Sequence, residues 1–413
     1  MVSVTLDCYR LTHQKCDRSI RNEEKRNLSI RISFSSMVIG IDASRAFLKR
    51  RTGIEEYSYQ VIKHLRDVLP ADAEVVLYVR KKLSFTHGRL QKNPPEIDFT
   101  LPKNWRVRAI WAPRFWTQIG LSLEMLFQGP DVLFVPAHTV PLIHPKKTVV
   151  TIHGLEYEYC KEAYSFWERI YMHYSIMWSC KVASTVICVS ENTKKDVMKL
   201  YEVGEEKIEV ISEGYENNFQ FPISNFQTSI NESISQIKKP YLLFIGRLEE
   251  RKNIVRIIEA FEILKEKYKV LHELVLVGKP GFGYERIQAK IQDSRFKIHI
   301  RELGYVTEEE KWELLRGADV FLFPTLYEGF GIPVLEAQSV GVPVVTSNIS
   351  SLPEVAGDGA IFVDPFSTES IAQGICQVLS DQGLRSGIIE KATRNVGRYS
   401  WARCAREVGS LLR

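Results

Sequence analysis

Short apolar runs alternate with helix-period segments along nearly the whole chain, and this alternation restricts the fold more than any other feature. The runs fall at 38–42, 74–79, 106–110, 131–135, 147–152 and 185–189, and again at 240–245, 273–277, 296–300, 319–323, 342–346 and 360–363. They are continuous stretches of Val, Ile, Leu and Phe rather than alternating apolar and polar residues. Strands buried on both faces of a parallel sheet read this way. Between them lie amphipathic segments. In 253–265, Ile254, Ile257, Ile258, Phe261 and Leu264 share one face, with Asn253 at the N-cap position. Thr307 and Glu310 have capping-box spacing ahead of 308–316. Strand–helix alternation of this kind predicts a doubly wound α/β sheet, and here the pattern occurs twice.

The interruption lies at 216–239, which is rich in Asn, Ser and Gln and carries no period, as a linker does. The predicted organisation is a first domain at 37–215, a second at 240–398, and a terminal helix at 399–413 that crosses back to the first domain. A chain of 413 residues fits two domains of this size. Residues 1–36 are polar and basic, and the first strong strand follows at Val38. That prefix is a disordered extension, a misassigned start or a basic membrane-surface arm.

The formal charge of +5 is too small for a nucleic-acid binder. It suits a phosphate-bearing ligand or an anionic membrane surface. The seven cysteines include no C-x2-C pair, so a reducing, cytoplasmic setting is expected rather than a zinc site or a disulfide framework. The chain has no run of ~18 apolar residues able to span a membrane. Trp105, Trp111, Arg114, Phe115 and Trp116 form an aromatic-basic cluster. It either meets a lipid head group or acceptor sugar, or packs around a core loop.

The chemistry concentrates in Glu328-Gly329-Phe330-Gly331-Ile332-Pro333-Val334-Leu335-Glu336, between a buried strand and a helix. Glycines let backbone amides approach a ligand, Pro333 suits a first helical turn, and the helix start favours an anion. Carboxylates eight positions apart accept strong hydrogen bonds from sugar or ribose hydroxyls. Arg247 and Lys252 follow strand 240–245, where cations stabilise the charge of a departing diphosphate.

This string resembles the E-x7-E motif of the retaining GT-B glycosyltransferases of family 4. The resemblance runs from Met37 to the end of the chain. Gly246-Arg247-Leu248 with Lys252-Asn253, Val277-Gly278, Gly304-Tyr305-Val306, the strand Ala318 to Thr325 and Val189-Ser190-Glu191-Asn192-Thr193 are similar to further family segments. The resemblance implies two Rossmann-like doubly wound parallel-sheet domains facing a central cleft. By the same resemblance Glu328 meets donor-sugar hydroxyls and Glu336 holds the ribose. The amides of Gly329, Phe330 and Gly331, together with Arg247 and Lys252, hold the diphosphate. Ile332, Gly246, Gly278, Tyr305 and Val306 complete the nucleotide side.

In the first domain the resemblance directs His153 at the donor sugar, the alternative being a buried structural histidine at a strand end, and Gly53 lies in a loop similar to the family's first glycine loop, with one glycine where two are common. Gly154 stands where the family often has Asp, and Ile211-Ser212-Glu213-Gly214-Tyr215 replaces its P-N-G-V segment. The implied reaction is retaining hexosyl transfer to a glycan or lipid-linked acceptor in surface polysaccharide assembly. It needs no metal or other cofactor. GDP-mannose is the first expected donor and UDP-sugars the second, with peripheral contact at the cytoplasmic membrane face. A nucleotide-sugar epimerase or a non-catalytic sugar-nucleotide-binding subunit on the same fold are the alternatives.

Overall fold

The computed structural model describes residues 37–48, 51–86, 89–93, 97–112, 115–215, 237 and 240–413. The predicted linker at 216–239 (Ile237 apart), the prefix 1–36 and Arg114 lie outside the described residues.

The first sheet contains β1 (Val38–Asp42), β2 (Glu74–Arg80), β5 (Trp105–Ile110), β6 (Val132–Val135), β7 (Lys147–Ile152), β8 (Thr185–Cys188) and β9 (Ile208–Val210). A separate antiparallel hairpin, β3 (Lys82–Thr86) and β4 (Arg89–Asn93), lies between β2 and β5 in the chain. The sheet order is β5-β2-β1-β6-β7-β8-β9, parallel throughout. Its helices are α1 (Gly53–Leu65), α2 (Ser122–Gln128, entered through a π-helical turn at Trp116–Leu121), α3 (Glu156–Tyr159), α4 (Phe166–Val182) and α5 (Glu191–Tyr201).

The second sheet holds β10 (Tyr241–Ile245), β11 (Glu273–Val277), β12 (Ile300–Gly304), β13 (Val320–Phe323), β14 (Val344–Ser347) and β15 (Ala360–Val363) in the order β12-β11-β10-β13-β14-β15. Its helices are α6 (Ile254–Glu266), α7 (Tyr284–Asp293), α8 (Glu308–Gly317), α9 (Ile332–Ser339), α10 (Leu352–Ala356), α11 (Thr368–Ser380) and α12 (Gln382–Val396). In both sheets the strand order reverses beside the first strand, at β1/β6 and at β10/β13. Such switch points open a crevice beyond the carboxyl ends of the strands.

Burial explains why the strands were readable: every residue of β6, β11 and β13 is buried, because helices cover both sheet faces. One strand differs from expectation. Residues 296–300 do not form the predicted strand. Lys297–His299 is a 3-10 turn, and the strand is β12, Ile300–Gly304. β12 is an edge strand paired only to β11, so it tolerates Arg301 and Glu302 and lacks the apolar signature. The last helix, α13 (Trp401–Leu411), packs on α1, where Trp401, Cys404, Ala405 and Val408 join the core under β1.

Asn253 precedes α6, but its side chain does not cap the helix. It takes a left-handed backbone (φ 62°), and its amide donates to the carbonyls of Pro324 (2.9 Å) and Pro365 (2.7 Å). It thereby ties the β10 loop to the loop after β13.

Candidate active site

The chain leaves β10 through Gly246 and Arg247 and leaves β13 through Pro324 to Glu328, so both loops emerge at the second switch point. A Cβ at Gly278 would lie 1.7 Å from the Gly246 carbonyl oxygen, at φ 148°. Glycine there lets the ends of β10 and β11 meet backbone to backbone.

Glu328 is buried and faces two cations. Lys252 Nζ donates to Glu328 Oε1 at 2.5 Å, and Arg251 Nη1 lies 3.3 Å from the same oxygen. Burial alone would raise the Glu328 pKa, but Lys252 and Arg251 outweigh it and keep the carboxyl below the usual range. Burial, then repulsion from Arg251, pushes the Lys252 ammonium down against the pull of Glu328. Arg251 also pairs with Glu249 at 2.8 Å and donates to the Tyr327 carbonyl at 2.8 Å. The backbone of Glu328 is held as well. Its N–H donates to Ser350 Oγ at 3.0 Å, and Ser350 and Ser351 donate to its carbonyl at 2.5 Å and 2.9 Å.

Gly331 (φ 118°) precedes α9, with Ile332 and Pro333 in its first turn. Glu336, further along α9, is bound by Lys311 Nζ at 2.8 Å. Lys311 is half-buried, and the desolvation that would lower its pKa is outweighed by Glu336 and Glu308, which raise it. Arg247 is exposed and makes no ion pair among the described residues. Tyr305 and Val306 follow β12, and the Tyr305 ring lies 4.6 Å from Lys279 Nζ. Lys252 and Glu328 therefore touch directly. Arg247, Glu336 and Tyr305 share the same rim of the sheet without a direct contact to that pair. Arg251, Lys311, Ser350 and Ser351 are site residues that the sequence reading did not single out. The run Glu249-Glu250-Arg251-Lys252 carried a signal for Arg251; the Ser-Ser pair after β14 carried only a weak one.

In the first domain, His153 ends up between two acceptors. Nδ1 lies 2.8 Å from Glu213 Oε1 and Nε2 lies 2.9 Å from the Pro136 carbonyl. Thr52 forms a capping box with Glu55 at the start of α1, and a Cβ at Gly53 would meet nothing within 4 Å. The two domains close on each other at His153. A Cβ at Gly329 would lie 1.5 Å from the His153 carbonyl oxygen, so only glycine fits that approach. The aromatic-basic cluster divides: Trp105 and Trp116 are buried, while Trp111 and Phe115 are exposed.

Two facing Rossmann-like sheets with this loop geometry define the GT-B fold. A sucrose-phosphate synthase from Thermosynechococcus elongatus has the same architecture, with a TM-score of 0.68 at 17% identity over 91% of this chain and 98% of that one. Residues 51–218 match Glycosyltransferase Family 4, and residues 225–395 match Glycosyl transferases group 1. An uncharacterized glycosyltransferase of Methanocaldococcus jannaschii is 30% identical over 73% of this chain and 82% of its own length. The O-antigen chain mannosyltransferase B of Escherichia coli is 28% identical over 72% and 74%. The chain belongs to glycosyltransferase family 4.

Proposed function

We propose that the protein transfers a hexose, mannose first, from a nucleotide diphosphate sugar to a hydroxyl of a glycan or lipid-linked acceptor, with retention at the anomeric carbon. The observation that carries this reading is the buried, ionised Glu328 held between Lys252 and Arg251 at the second switch point. A fixed carboxylate there suits sugar hydroxyls, and the adjoining cations suit a diphosphate. Mannose from GDP-mannose rests on the likeness to the E. coli mannosyltransferase, whose name also motivates surface polysaccharide as the product. UDP-sugars are the second donor class. Glu336 takes the ribose, and the amides of residues 329–331, with Arg247 and Lys252, take the diphosphate, a role that elsewhere falls to a metal ion.

In the proposed step the bond between the anomeric carbon and the phosphate oxygen breaks, with its electron pair passing to phosphate. The acceptor oxygen bonds to the same face of that carbon, and its proton passes to the departing phosphate. NMR at the anomeric carbon, with GDP-mannose and a short α-mannoside as acceptor, tests this. An α product is expected, and a β product refutes retention.

An exposed apolar face supports an acceptor presented at an anionic, cytoplasmic membrane surface. On α4, Trp167, Tyr171, Tyr174 and Trp178 recur at helical spacing and are all exposed. On the π-turn and α2, the same holds for Ile119, Leu123, Leu126 and Phe127. The loop bearing exposed Leu142 and Ile143 joins the two: the Val140 N–H donates to Ser179 of α4 and the Ile143 N–H to Ser122 of α2. Exposed Lys146, Lys161 and Lys181 lie along these elements without an ion pair among the described residues. Trp and Tyr with flanking lysines suit lipid head groups better than a second copy of the same face, which would bring like charges together. Flotation with phosphatidylethanolamine–phosphatidylglycerol vesicles should capture the protein, and Trp167→Ser with Trp178→Ser should release it. Failure of the unaltered protein to float, or a dimer by light scattering, refutes membrane docking.

A further inference from the structure

Glu328 lies between Tyr327 and Gly329, and both neighbours are gripped by one helix of the other domain. Ser190, the N-cap of α5, donates to the Gly329 carbonyl at 2.7 Å, and Thr193 donates to it at 3.3 Å. Tyr327 donates its hydroxyl to Asp196 of α5 at 2.7 Å and accepts the Leu155 N–H at 3.1 Å. Asp196 is buried and also accepts from Tyr159, whose ring stacks on Tyr327 at 4.9 Å. At the start of α5, the Glu191 N–H donates to the Glu354 carboxylate of α10, at 3.0 Å to each oxygen.

Apart from the Tyr159–Asp196 bond, which lies within the first domain, these bonds cross the domain boundary, so opening the cleft breaks them together. Opening would also strip the buried Tyr327 hydroxyl of both its partners, which burial makes costly, while Asp196 keeps Tyr159 and Asn192. The bonds that hold Glu328 itself, from Lys252, Ser350 and Ser351, arise within its own domain and fix only its side chain and backbone amide plane. The Tyr327 carbonyl is also held by Arg251 of the same domain, but the Tyr327 hydroxyl and the Gly329 carbonyl are held from across the cleft.

We infer that α5, through Ser190, Thr193 and Asp196, positions the Glu328 loop, so that this carboxylate reaches its working geometry only when the domains are closed. The inference rests on the donor-sugar role proposed for Glu328. Ser190, Thr193 and Asp196 are positioning residues that touch the loop rather than the reacting atoms. Coupling the loop to closure also ties catalysis to the state that excludes water from an activated donor.

Hydrogen exchange on the full chain tests this, with GDP and UDP as nucleotide probes and GDP-mannose as donor. Tyr327→Phe keeps the stack on Tyr159 and removes the hydroxyl. Thr193→Val removes one donor to Gly329 and leaves Asp196 intact, and Thr193→Ser restores it. In the Tyr327→Phe and Thr193→Val proteins, amides at 326–331 should exchange roughly 2- to 10-fold faster, the range a single hydrogen bond supports. Those of β11 should stay unchanged. Nucleotide affinity should hold within about twofold while GDP-mannose turnover falls by a factor comparable to the change in exchange. The Thr193→Ser protein should behave like the original. Unchanged loop exchange in both variants overturns the inference, as does faster exchange with full turnover. If the unaltered protein turns over no GDP- or UDP-sugar, the proposed function fails instead, and the exchange comparison still decides the positioning claim.

Discussion

Replacing Glu328 by glutamine leaves the Lys252 ammonium buried with its only direct anionic partner among the described residues gone. Arg251 retains Glu249 at 2.8 Å, but Lys252 has no such second ion-pair partner among the described residues and feels Arg251 as repulsion. Breaking one side of a buried ion pair costs about 3–5 kcal/mol when nothing else compensates. The lysine has one escape, which is to lose its proton. From its ordinary value of 10.5, doing so at pH 7 costs about 5 kcal/mol, at ~1.36 kcal/mol per pH unit. At pH 9 the same step costs only about 2 kcal/mol. The expected penalty at pH 7 is therefore about 3–4 kcal/mol, shrinking to about 2 kcal/mol or less at pH 9.

The sign follows from linkage. The variant's Lys252 titrates below its unfolded value, so the unfolded chain binds more protons and stability rises with pH up to about 10.5. For domains of this size the penalty corresponds to a melting temperature lowered by roughly 6–16 °C at pH 7. Thermal unfolding of both proteins at pH 7 and pH 9 reads it. Equal deficits at the two pH values, or no deficit at pH 7, would refute the buried-pair reasoning.

In the unaltered protein, Glu328 is held below its ordinary value of 4.5, so its contribution is present above that value and lost as pH falls through the lowered one; acid titration followed by fluorescence should show this loss, and it should vanish in Glu328→Gln. Gly329→Ala places a methyl group against the His153 carbonyl, so transfer should fall about 100-fold with nucleotide affinity preserved, read by steady-state kinetics and calorimetry. Lys252→Ala should reduce the rise in melting temperature given by GDP or UDP while leaving that given by guanosine or uridine intact. Lys311→Met frees Glu336 from its cation, and calorimetry should show a larger affinity change for GDP than for deoxy-GDP if Glu336 meets the ribose.

What the sequence disclosed follows from burial. Strands covered on both faces need apolar residues at every position, so β6, β11 and β13 stood out, and Gly-rich turns beside them marked the Glu328 loop. β12 and the three-residue β9 are edge strands, so they carry polar residues and little signal. Asn253 looked like a helix cap because its position fits one, but its amide serves carbonyls that lie 71 and 112 residues away. The same distance problem hid Ser350, Ser351 and Lys311, which act on the site from separate loops. Arg247 and Arg251 are four positions apart on one turn, and only the folded backbone shows that Arg251 turns inward to Glu328 while Arg247 faces solvent. The contacts between α5 and Tyr327–Gly329 join residues more than 130 positions apart, which no local pattern reveals.

The location of the donor is the point on which the account stands or falls. Hydrogen exchange of the full chain with saturating GDP, then UDP, measures it directly. Protection gained at 246–252 and 328–336, and little across β1 to β5, is the expected result; protection confined to other segments, or none with either nucleotide, would contradict it.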